Sequence, residues 1–275
     1  MFARLIDALG DRRLCVLTGA GVSTDSGIPD YRGPNSPPRH PMTFQQFIGD
    51  PDFRRRYWAR NHLGWRHMDA ARPNTGHRAL AGLERSGVVG AVITQNVDLL
   101  HTKAGSRRVI DLHGTYAQVR CLNCEALISR ATLDDRLKHA NPGFADTLIA
   151  AEGVQIAPDA DAEITSTDHF RTLDCEVCGG LLKPDIVYFG ESVPKQRVAA
   201  AYALVDEAEA LLVAGSSLTV MSGLRFVRHA ARRGIPIVIV NRGATRGDEF
   251  ATLTLAAGCS EALTALLTAR RAVPT

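Results

Sequence analysis

Two Cys-x-x-Cys pairs, separated by fifty residues, constrain this chain more than any other feature. The first pair is Cys121 with Cys124, and the second is Cys175 with Cys178. Together they supply the four thiolates that tetrahedral zinc accepts, and a complete set of protein ligands indicates a structural ion. A redox-active pair, or four unrelated cysteines, is the alternative. Because the gap is longer than in a compact zinc ribbon, we predict a lobe with a helix or loop of its own.

A series of apolar runs, each ending at a small or polar residue, alternates with helix-like stretches. The runs are Leu14–Thr18, Val88–Thr94, Val109–Leu112, Leu211–Gly215 and Ile235–Val240. Continuous apolar strands are typical of a buried parallel sheet, whose carboxyl edge carries the functional loops. Helical periodicity predicts helices over Met1–Gly10, Thr75–Ser86, Val198–Ala208 and Gly223–Arg233. We therefore predict an α/β fold: a Rossmann-like parallel sheet domain with a small zinc-binding lobe and a helical excursion.

Two stretches interrupt this alternation of strands and helices and suggest domain boundaries. Residues 34–74 contain four prolines before an apparent helical segment, and residues 116–182 contain the paired cysteines. We predict a Rossmann-like domain from 1–39, 76–115 and 183–275, a loop and helical excursion from 40–75, and a zinc-binding small lobe from 116–182. A linker that packs on this lobe is our only interpretation of the 141–172 insert.

The stretch Gly19–Arg32 follows the first predicted strand and contains closely spaced glycines. We expect it to open a helix whose backbone N–H groups receive phosphate. Gly19 and Gly21 permit close backbone approach, and the Ser23 hydroxyl adds a donor. The pattern is not the dinucleotide fingerprint, because the third glycine comes only at Gly27. A glycine turn without any ligand fits the same residues.

His113 lies between a predicted strand and the predicted zinc lobe. Histidine titrates near neutrality and is the commonest general base in enzymes, so His113 is a candidate catalytic residue. It is one of nine histidines, and a single histidine is more often structural.

Charge and hydropathy exclude several function classes. The net charge of +3 is small. Solvated surface explains both the basic residues of 54–85 and the acidic residues of 146–176, and we favour it for the acidic stretch. We expect no direct binding of nucleic acid. No apolar run reaches membrane-spanning length, and the N-terminus lacks the apolar segment of a secretory signal. The cysteine pairs indicate a metal site in a reducing compartment rather than a set of disulfide bonds. Together these features favour a cytoplasmic protein without membrane association.

The motifs resemble, in order and over nearly the whole chain, those of the sirtuins, which are NAD-dependent protein deacylases. The matching segments are Gly19–Ser23, Gly27–Arg32, Thr94–Asp98, His113–Gly114, the two cysteine pairs, Lys183–Glu191, Gly215–Ser217 and Asn241–Gly243. Tyr31, Pro73–His77 and Cys178–Pro184 are similar to the class II branch, and Tyr57–Trp65 resembles its mitochondrial member.

The resemblance implies a set of residues that bind NAD. They are Gly19, Ala20, Gly21, Ser23, Ile28, Asp30, Tyr31, Arg32, Gln95, Asn96, Asp98, Gly215, Ser216, Ser217, Asn241, Arg242, Gly243 and Cys259. By the same resemblance, Cys121, Cys124, Cys175 and Cys178 bind zinc. NAD and Zn²⁺ are therefore the expected cofactors.

The resemblance also implies the reaction. The acyl group passes from lysine to ADP-ribose as nicotinamide leaves, with His113 as general base on the ribose hydroxyls. Asn96 and Asp98 complete the expected catalytic set, and Tyr31 covers the reacting centre to exclude water.

Acyl-lysine proteins are the implied substrates. Their backbone is expected to add as a strand beside residues of two loops. The substrate-contacting residues are expected to be Val187, Phe189, Gly190, Glu191 and Leu218, although ordinary strand packing also explains Val187. Tyr57 and Arg60, three apart on a helix, could bind the carboxylate of an acidic acyl chain. The alternative is that Arg60 belongs to a basic surface run.

Three other functions compete with deacylation. Protein mono-ADP-ribosylation, or NAD hydrolysis, would use the same NAD site. An ordinary dehydrogenase requires a glycine fingerprint that is not evident. A zinc module without catalytic activity would bind protein or nucleic acid. We expect a monomer, and the acyl group and protein targets are not specified by these motifs.

Overall fold

The structure, a computed structural model, describes residues 1–31, 41–144 and 167–271. The expected cofactor residue Arg32 and most of the 141–172 insert lie outside the described residues. The strands are β1 Leu14–Thr18, β2 Val89–Thr94, β3 Val109–Asp111, β4 Gly114–Cys121, β5 Leu127–Ser129, β6 Leu182–Ile186, β7 Ala210–Ala214, β8 Ile237–Val240 and β9 Leu253–Leu255. The α-helices are α1 Phe2–Leu9, α2 Phe44–Gly49, α3 Pro51–Ala70, α4 Thr75–Arg85, α5 Leu100–Lys103, α6 Arg130–Ala140, α7 Lys195–Asp206, α8 Met221–Arg232 and α9 Cys259–Arg271.

The larger sheet has six parallel strands in the order β3-β2-β1-β7-β8-β9. The chain builds outward from β1 to β3 on one side and then from β7 to β9 on the other. The point at which the order reverses therefore lies between β1 and β7, and open α/β sheets bind ligands at this place. The predicted α/β fold with a buried parallel sheet is confirmed.

Both faces of this sheet are covered because the strand side chains are apolar in either direction. In β1, Leu14 and Val16 pack in one apolar cluster with side chains of α1, α4 and α9. Cys15 and Leu17 pack in the other, with side chains of α7 and α8. This double cover fixes the carboxyl ends of the strands, on which the site is built.

The smaller sheet is antiparallel, with the strand order β5-β4-β6. β4 and β6 pair from Cys121 with Leu182 to Gly114 with Ile186, interrupted by a register shift. Gly114 adopts φ +83°, and a Cβ there would lie 2.0 Å from the carbonyl oxygen of Asp185. Only glycine therefore permits the two strands to approach so closely at this position.

The described residues group into two compact units. One unit draws on Met1–Pro38, Ala71–Leu112 and Val193–Thr275 and contains the six-stranded sheet. The other draws on Arg39–Ala70 and His113–Ser192 and contains the three-stranded sheet, α3 and α6. Residues 113–115 and 183–192, which we predicted in the Rossmann-like domain, fall in the smaller unit because β4 pairs with β6, and most of the predicted 40–75 excursion falls there as well. None of the helices in the described part of the chain has the length and apolar character needed to cross a membrane.

Candidate functional site

The loop after β1 packs directly on the loop after β7. The Gly21 N–H donates to the carbonyl of Gly215 at 2.8 Å, and the Gly19 N–H donates to that of Ala214 at 3.2 Å. A Cβ at Gly21 would lie 2.9 Å from the Cα of Gly215. Because both contacts involve backbone, side chains are excluded here, and the two loops meet at the reversal point between β1 and β7.

The helix that we predicted to open at Gly19–Arg32 is not a long one, and no α-helix begins within the described residues of this stretch. The chain instead forms two short 3-10 turns, Ala20–Val22 and Thr24–Ser26. Gly27 ends the second turn in a left-handed conformation, φ +81°. Pro29 also disfavours a helical conformation at Ile28. The N–H groups of Val22 and Ser23 bond to carbonyls within these turns, so the loop lacks the N-terminus of a long helix.

A buried polar network lies beneath the glycine loop. Ser23 Oγ donates to Asp98 Oδ2 at 2.7 Å, and Asn96 Nδ2 donates to both Gly19 O and Ser23 Oγ at 3.0 Å. The other carboxylate oxygen of Asp98 accepts from the Leu100 N–H at 2.9 Å. Burial raises the pKa of Asp98 although these hydrogen bonds oppose the shift. Three predicted site residues are therefore brought together and fix one another.

Two histidines that were not among the predicted site residues extend this network. His77 Nε2 lies 3.5 Å from Ser23 Oγ, and His101 Nε2 lies 2.9 Å from Thr18 Oγ1. Their ring centroids are 4.8 Å apart. Burial lowers the pKa of His77 to about 4 and lowers that of His101 as well. Both imidazoles are therefore neutral at physiological pH.

Asn74 ties the same network to helix α4. Its side chain accepts from the His77 N–H at 3.2 Å and donates to the Val22 carbonyl at 2.8 Å. The Asn74 N–H donates to His77 Nδ1, which completes a capping box. The three-residue spacing of Asn74 and His77, which is typical of a capping box, is the sequence signal that could have identified this pair.

Gln95 and Ser216 connect the ends of β2 and β7. Ser216 Oγ donates to Gln95 Oε1 at 2.6 Å, and the Gln95 N–H donates to the Thr18 carbonyl at 2.9 Å. The Leu218 N–H donates to Ser216 Oγ at 3.2 Å, which holds Leu218 at φ +55°. Polar residues from three strand ends therefore converge at the carboxyl edge of the sheet.

Further predicted site residues lie along the same edge. The Asn241 N–H donates to Leu255 O at 3.0 Å, and its side-chain nitrogen donates to Gly243 O at 3.0 Å. Cys259 is buried at the start of α9, and burial raises its pKa to about 12. A Cβ at Gly258 would lie 2.8 Å from Arg242 Nη2. Arg242 therefore lies beside the start of α9.

The donor-rich edge of the larger sheet fits a dinucleotide. Glycines expose backbone at the reversal point between β1 and β7, and amide and hydroxyl side chains surround it. This combination is suited to the phosphates and sugar hydroxyls of NAD. Ile28, Asp30 and Tyr31 continue from the glycine loop, with Ile28 buried and the other two half-buried.

His113 and the predicted substrate segment belong to the unit with the smaller sheet. The carbonyl of His113 accepts from the Val187 N–H at 2.8 Å. Phe189 forms a parallel bridge with Thr43, and its carbonyl accepts from the Phe44 N–H at 2.9 Å. Leu218 and Ser216 lie in the other unit.

Tyr57 and Arg60 lie three residues apart on α3. Tyr57 is buried, and its ring centroid lies 5.6 Å from Phe47 and 5.4 Å from Tyr188. Its hydroxyl lies 3.3 Å from Asn61 Nδ2. Tyr57 therefore contributes to an aromatic cluster, and Arg60 is half-buried.

The four paired cysteines converge on one point. All four sulfurs lie within 4.8 Å of one another, with 3.6 Å between Cys121 and Cys178 and 3.7 Å between Cys124 and Cys175. Four thiolates around zinc lie about 3.8 Å apart at ordinary zinc–sulfur distances, so the arrangement fits the metal. Hydrogen bonds from Asn123 Nδ2 and the Gly180 N–H lower the pKa of Cys178 to about 6. These bonds favour the thiolate that a metal requires.

Comparisons with known proteins agree with this arrangement. A model of the Sir2 family matches residues 19–222. The NAD-dependent protein deacetylase 1 of Mycobacterium avium (strain 104) is 66% identical over 271 residues, which cover 98% of this chain and 96% of that protein. The NAD-dependent protein deacetylase 1 of Streptomyces coelicolor is 54% identical, with 95% and 87% covered. A solved structure of Sir2 with a p53 peptide and NAD⁺ is 31% identical, has a TM-score of 0.75, and covers 99% of this chain and 100% of that chain.

Proposed function

This chain belongs to the Sir2 family, and from that premise we propose how its residues remove acyl groups from lysine with NAD. Like its curated relatives, it is an NAD-dependent protein deacetylase that acts on acyl-lysine in proteins. The hydrogen-bonded set of Ser23, Asn96 and Asp98 at the carboxyl edge of the sheet is the observation that carries the proposal.

The residues of the larger unit hold NAD. Ala20, Gly21 and Ser23, together with Gly215 and Ser216, contact the pyrophosphate. Support comes from the close packing of the two glycine loops at the carboxyl edge of the sheet. Asn241 and Cys259 hold the adenosine end, and Gln95, Asn96 and Asp98 line the pocket for the ribose and nicotinamide. Ile28 and Asp30 fix the carboxamide, Tyr31 covers the reacting centre, and Arg32 orients the loop of Tyr31. The remaining residues of the proposed set are Gly19, Ser217, Arg242 and Gly243.

His113 acts as the general base on the ribose hydroxyls. Bound NAD supplies the ADP-ribosyl group that accepts the acyl group, with nicotinamide as the leaving group. A base must be oriented before it can remove a proton, and the hydrogen bond from Val187 N–H to the His113 carbonyl restrains its backbone. Asn96 and Asp98 orient each other through Ser23, so removal of any one of the three loosens the other two.

The substrate backbone binds beside Phe189, Gly190 and Glu191, and Val187 lines the path of the acyl-lysine. Leu218 is a further proposed substrate residue. Main-chain pairing gives affinity with little demand on sequence. Cys121, Cys124, Cys175 and Cys178 hold a zinc ion that cross-links the smaller unit and leaves no open position for catalysis.

The finer assignments are also proposals. Tyr31, Pro73–His77 and Cys178–Pro184 support the class II branch. Tyr57 and Arg60 share a face of α3, which supports binding of a carboxylate on the acyl chain. In this proposal Arg60 supplies the charge and Tyr57, buried among aromatic side chains, positions the helix.

Nicotinamide release tests these proposals. Wild-type protein is given NAD and peptides that carry acetyl-, succinyl-, glutaryl- or long-chain-acyl-lysine. We expect acyl-dependent release that falls by about 100-fold or more in His113→Ala, the range that general-base catalysis supplies. His139→Ala, which alters an exposed histidine on α6, is the matched control and should retain wild-type activity.

The acyl panel separates the alternatives. Preference for succinyl- or glutaryl-lysine that is lost in Arg60→Met supports the carboxylate proposal, whereas preference for acetyl-lysine contradicts it. Release that is independent of the peptide, or transfer of labelled ADP-ribose to protein, favours mono-ADP-ribosylation. Unchanged activity in His113→Ala contradicts the role of His113.

A further inference from the structure

Lys183 is a buried lysine whose ammonium group lies inside the smaller unit. It is 4% exposed, and Nζ donates to the Ile186 carbonyl and to Glu191 Oε2, the latter at 3.1 Å. Nζ also lies 4.7 Å from the ring centroid of Tyr188, within the range of a cation–π interaction. Each of these partners lies within the eight residues that follow Lys183 in the chain.

The partners of Lys183 fold the chain after β6 into a compact loop. Glu191 Oε2 accepts from the Tyr188 N–H at 2.9 Å as well as from Lys183. The Glu191 N–H donates to the Tyr188 carbonyl at 3.0 Å. Gly190 adopts φ +80°, where a Cβ would lie 2.6 Å from Gln45 Oε1. The Glu191 carboxylate is therefore directed inward at Lys183.

The buried charges of Lys183 and Glu191 stabilise the folded conformation of the loop. A buried ammonium is costly without a paired carboxylate and hydrogen-bond acceptors. Burial lowers the pKa of Lys183, and the Glu191 carboxylate opposes that shift. If the loop opened, both charges would lose their partners at once, so the lysine holds the residues between Ile186 and Glu191 in one conformation.

The same loop contacts His113 and carries the proposed substrate residues. The Val187 N–H donates to the His113 carbonyl, and Phe189 bridges to Thr43. We infer that Lys183, paired with Glu191, is a positioning residue that sets both the substrate-binding strand and the backbone of His113. This inference rests on the proposed function of that loop and assigns the Glu191 carboxylate to the pair with Lys183, so that only its backbone can serve the substrate.

The central test compares Lys183→Met with Lys183→Arg and Glu191→Gln. Methionine keeps most of the apolar stem without charge, and arginine restores the charge. We expect Lys183→Met and Glu191→Gln each to raise KM for the acyl-peptide and to lower kcat. In each variant the resulting loss in kcat/KM should be about tenfold to 100-fold, because the reacting groups are misplaced. Lys183→Arg should recover much of that loss. The affinity for NAD without peptide and the zinc content should remain at wild-type values.

Arg120→Met provides the matched control. Arg120 Nε lies 3.0 Å from Asp185 Oδ1, so this variant removes an ion pair between β4 and β6 without altering either hydrogen-bond acceptor of the Lys183 ammonium. It should retain wild-type kinetics. Equal losses in Arg120→Met and Lys183→Met would show a general effect on the sheet and overturn the inference, as would wild-type peptide kinetics in Lys183→Met.

Hydrogen exchange gives a readout that does not depend on activity. In protein without ligands, the amides of Val187 and Tyr188 should exchange about tenfold faster in Lys183→Met and Glu191→Gln than in wild type. Exchange in β1 and β7 should not change. If wild-type protein released no nicotinamide with any peptide, the proposed function would fail, whereas unchanged exchange at Val187 and Tyr188 would overturn the role of Lys183 itself. If Lys183→Met does not fold, Glu191→Gln and Lys183→Arg still decide between the outcomes.

Discussion

The hydroxyl of Ser23 determines the direction of the hydrogen bonds around it. Its single proton is donated to Asp98, so it accepts from Asn96 and from His77 Nε2. His77 Nδ1 accepts from the Asn74 N–H, which requires that the imidazole proton be on Nε2. A second proton on His77 would therefore break the bond to Asn74 at the start of α4.

The pH dependence of stability tests the state of His77. Its pKa is about 4 in the folded protein, whereas an unfolded chain binds the proton near the ordinary value of 6.5. Between these values the unfolded state binds more protons, so this contribution is fully present above pH 6.5 and is lost as pH falls toward 4. His77→Gln keeps a residue that suits the capping box and removes the titration.

We expect the free energy of unfolding to fall more steeply in wild type than in His77→Gln across this range. The difference in slope should approach about 1.4 kcal/mol per pH unit. Denaturant titrations at several pH values would measure it. His101 and Asp98 also have shifted pKa values and are present in both proteins, and the loss of the His77 charge removes the smaller of the two causes that lower the pKa of His101. Parallel pH profiles would contradict a neutral, buried His77.

Gly21 provides a second test at the residue scale. In Gly21→Ala the new Cβ would meet the backbone of Gly215 at 2.9 Å, and the two loops would have to separate. We expect a loss of about 1–3 kcal/mol of stability, the usual effect of overpacking, and weaker binding of NAD in calorimetry. Gly49→Ala, whose Cβ would meet no atom from elsewhere in the fold within 4 Å, should lose no stability and should bind NAD like wild type. Equal NAD affinity in both variants would exclude the glycine loop from the site.

Helices α3 and α6 are joined by a buried cluster around one carboxylate. Asp134 is 1% exposed and lies 2.7 Å from His62 Nδ1, 2.9 Å from Lys138 Nζ and 3.2 Å from Arg66 Nη2. Arg130, equally buried, donates to Asn61 Oδ1 and packs over Trp65. Although burial opposes ionisation, the hydrogen bonds from His62 and Lys138 hold the pKa of Asp134 well below its usual range. The single anion thus balances several cations.

Replacement of Asp134 should separate these helices. Asp134→Ala leaves Arg66, Arg130 and Lys138 without a shared anion, and we expect a loss of about 3–5 kcal/mol in the free energy of unfolding. Asp135→Ala alters only an exposed carboxylate that pairs with Lys138 at 3.4 Å, so it should cost less than about 1 kcal/mol. Urea titration of both variants measures the difference. Similar losses would mean that the cluster does not join α3 to α6.

The elements that could be predicted from sequence are those with strong local patterns. β1 has the predicted bounds, and the predicted runs at Val88–Thr94 and Leu211–Gly215 differ from β2 and β7 by one residue at their ends. β9 has only three residues, too few to show a period, and it was not predicted. After Gly19 the chain forms short 3-10 turns in place of a long helix, because closely spaced glycines and a left-handed Gly27 favour turns.

The candidate site shows the same limit. Ser23, Asn96 and Asp98 lie in recognisable motifs, and the structure brings them together. His101 lies in the short helix α5 after β2, and it meets Thr18 at the end of β1 because β1 and β2 are neighbours in the sheet. No local pattern reports such a contact. Lys183 was visible as part of a motif, but its burial and its pairing with Glu191 depend on tertiary packing.

At the scale of the whole molecule, the two units differ in what stabilises them. The six-stranded sheet is covered on both faces by apolar clusters that involve helices from much of the chain. The three-stranded sheet is small, and its β5 has only three residues. Small sheets depend on additional links, and the four-cysteine cluster is such a link. Zinc should therefore stabilise one unit far more than the other.

Removal of zinc should unfold the smaller unit selectively. Without a cation, four sulfurs within 4.8 Å cannot all remain thiolates, and the knuckles formed by the cysteine pairs lose their cross-link. After treatment with a strong chelator, we expect rapid hydrogen exchange in β4 and β6 and near-native protection in β1 and β7. Chelator already saturated with zinc is the control and should have no effect. Uniform loss of protection in both sheets would show that the metal supports the entire fold, and unchanged protection in β4 would show that the cysteine cluster does not need it.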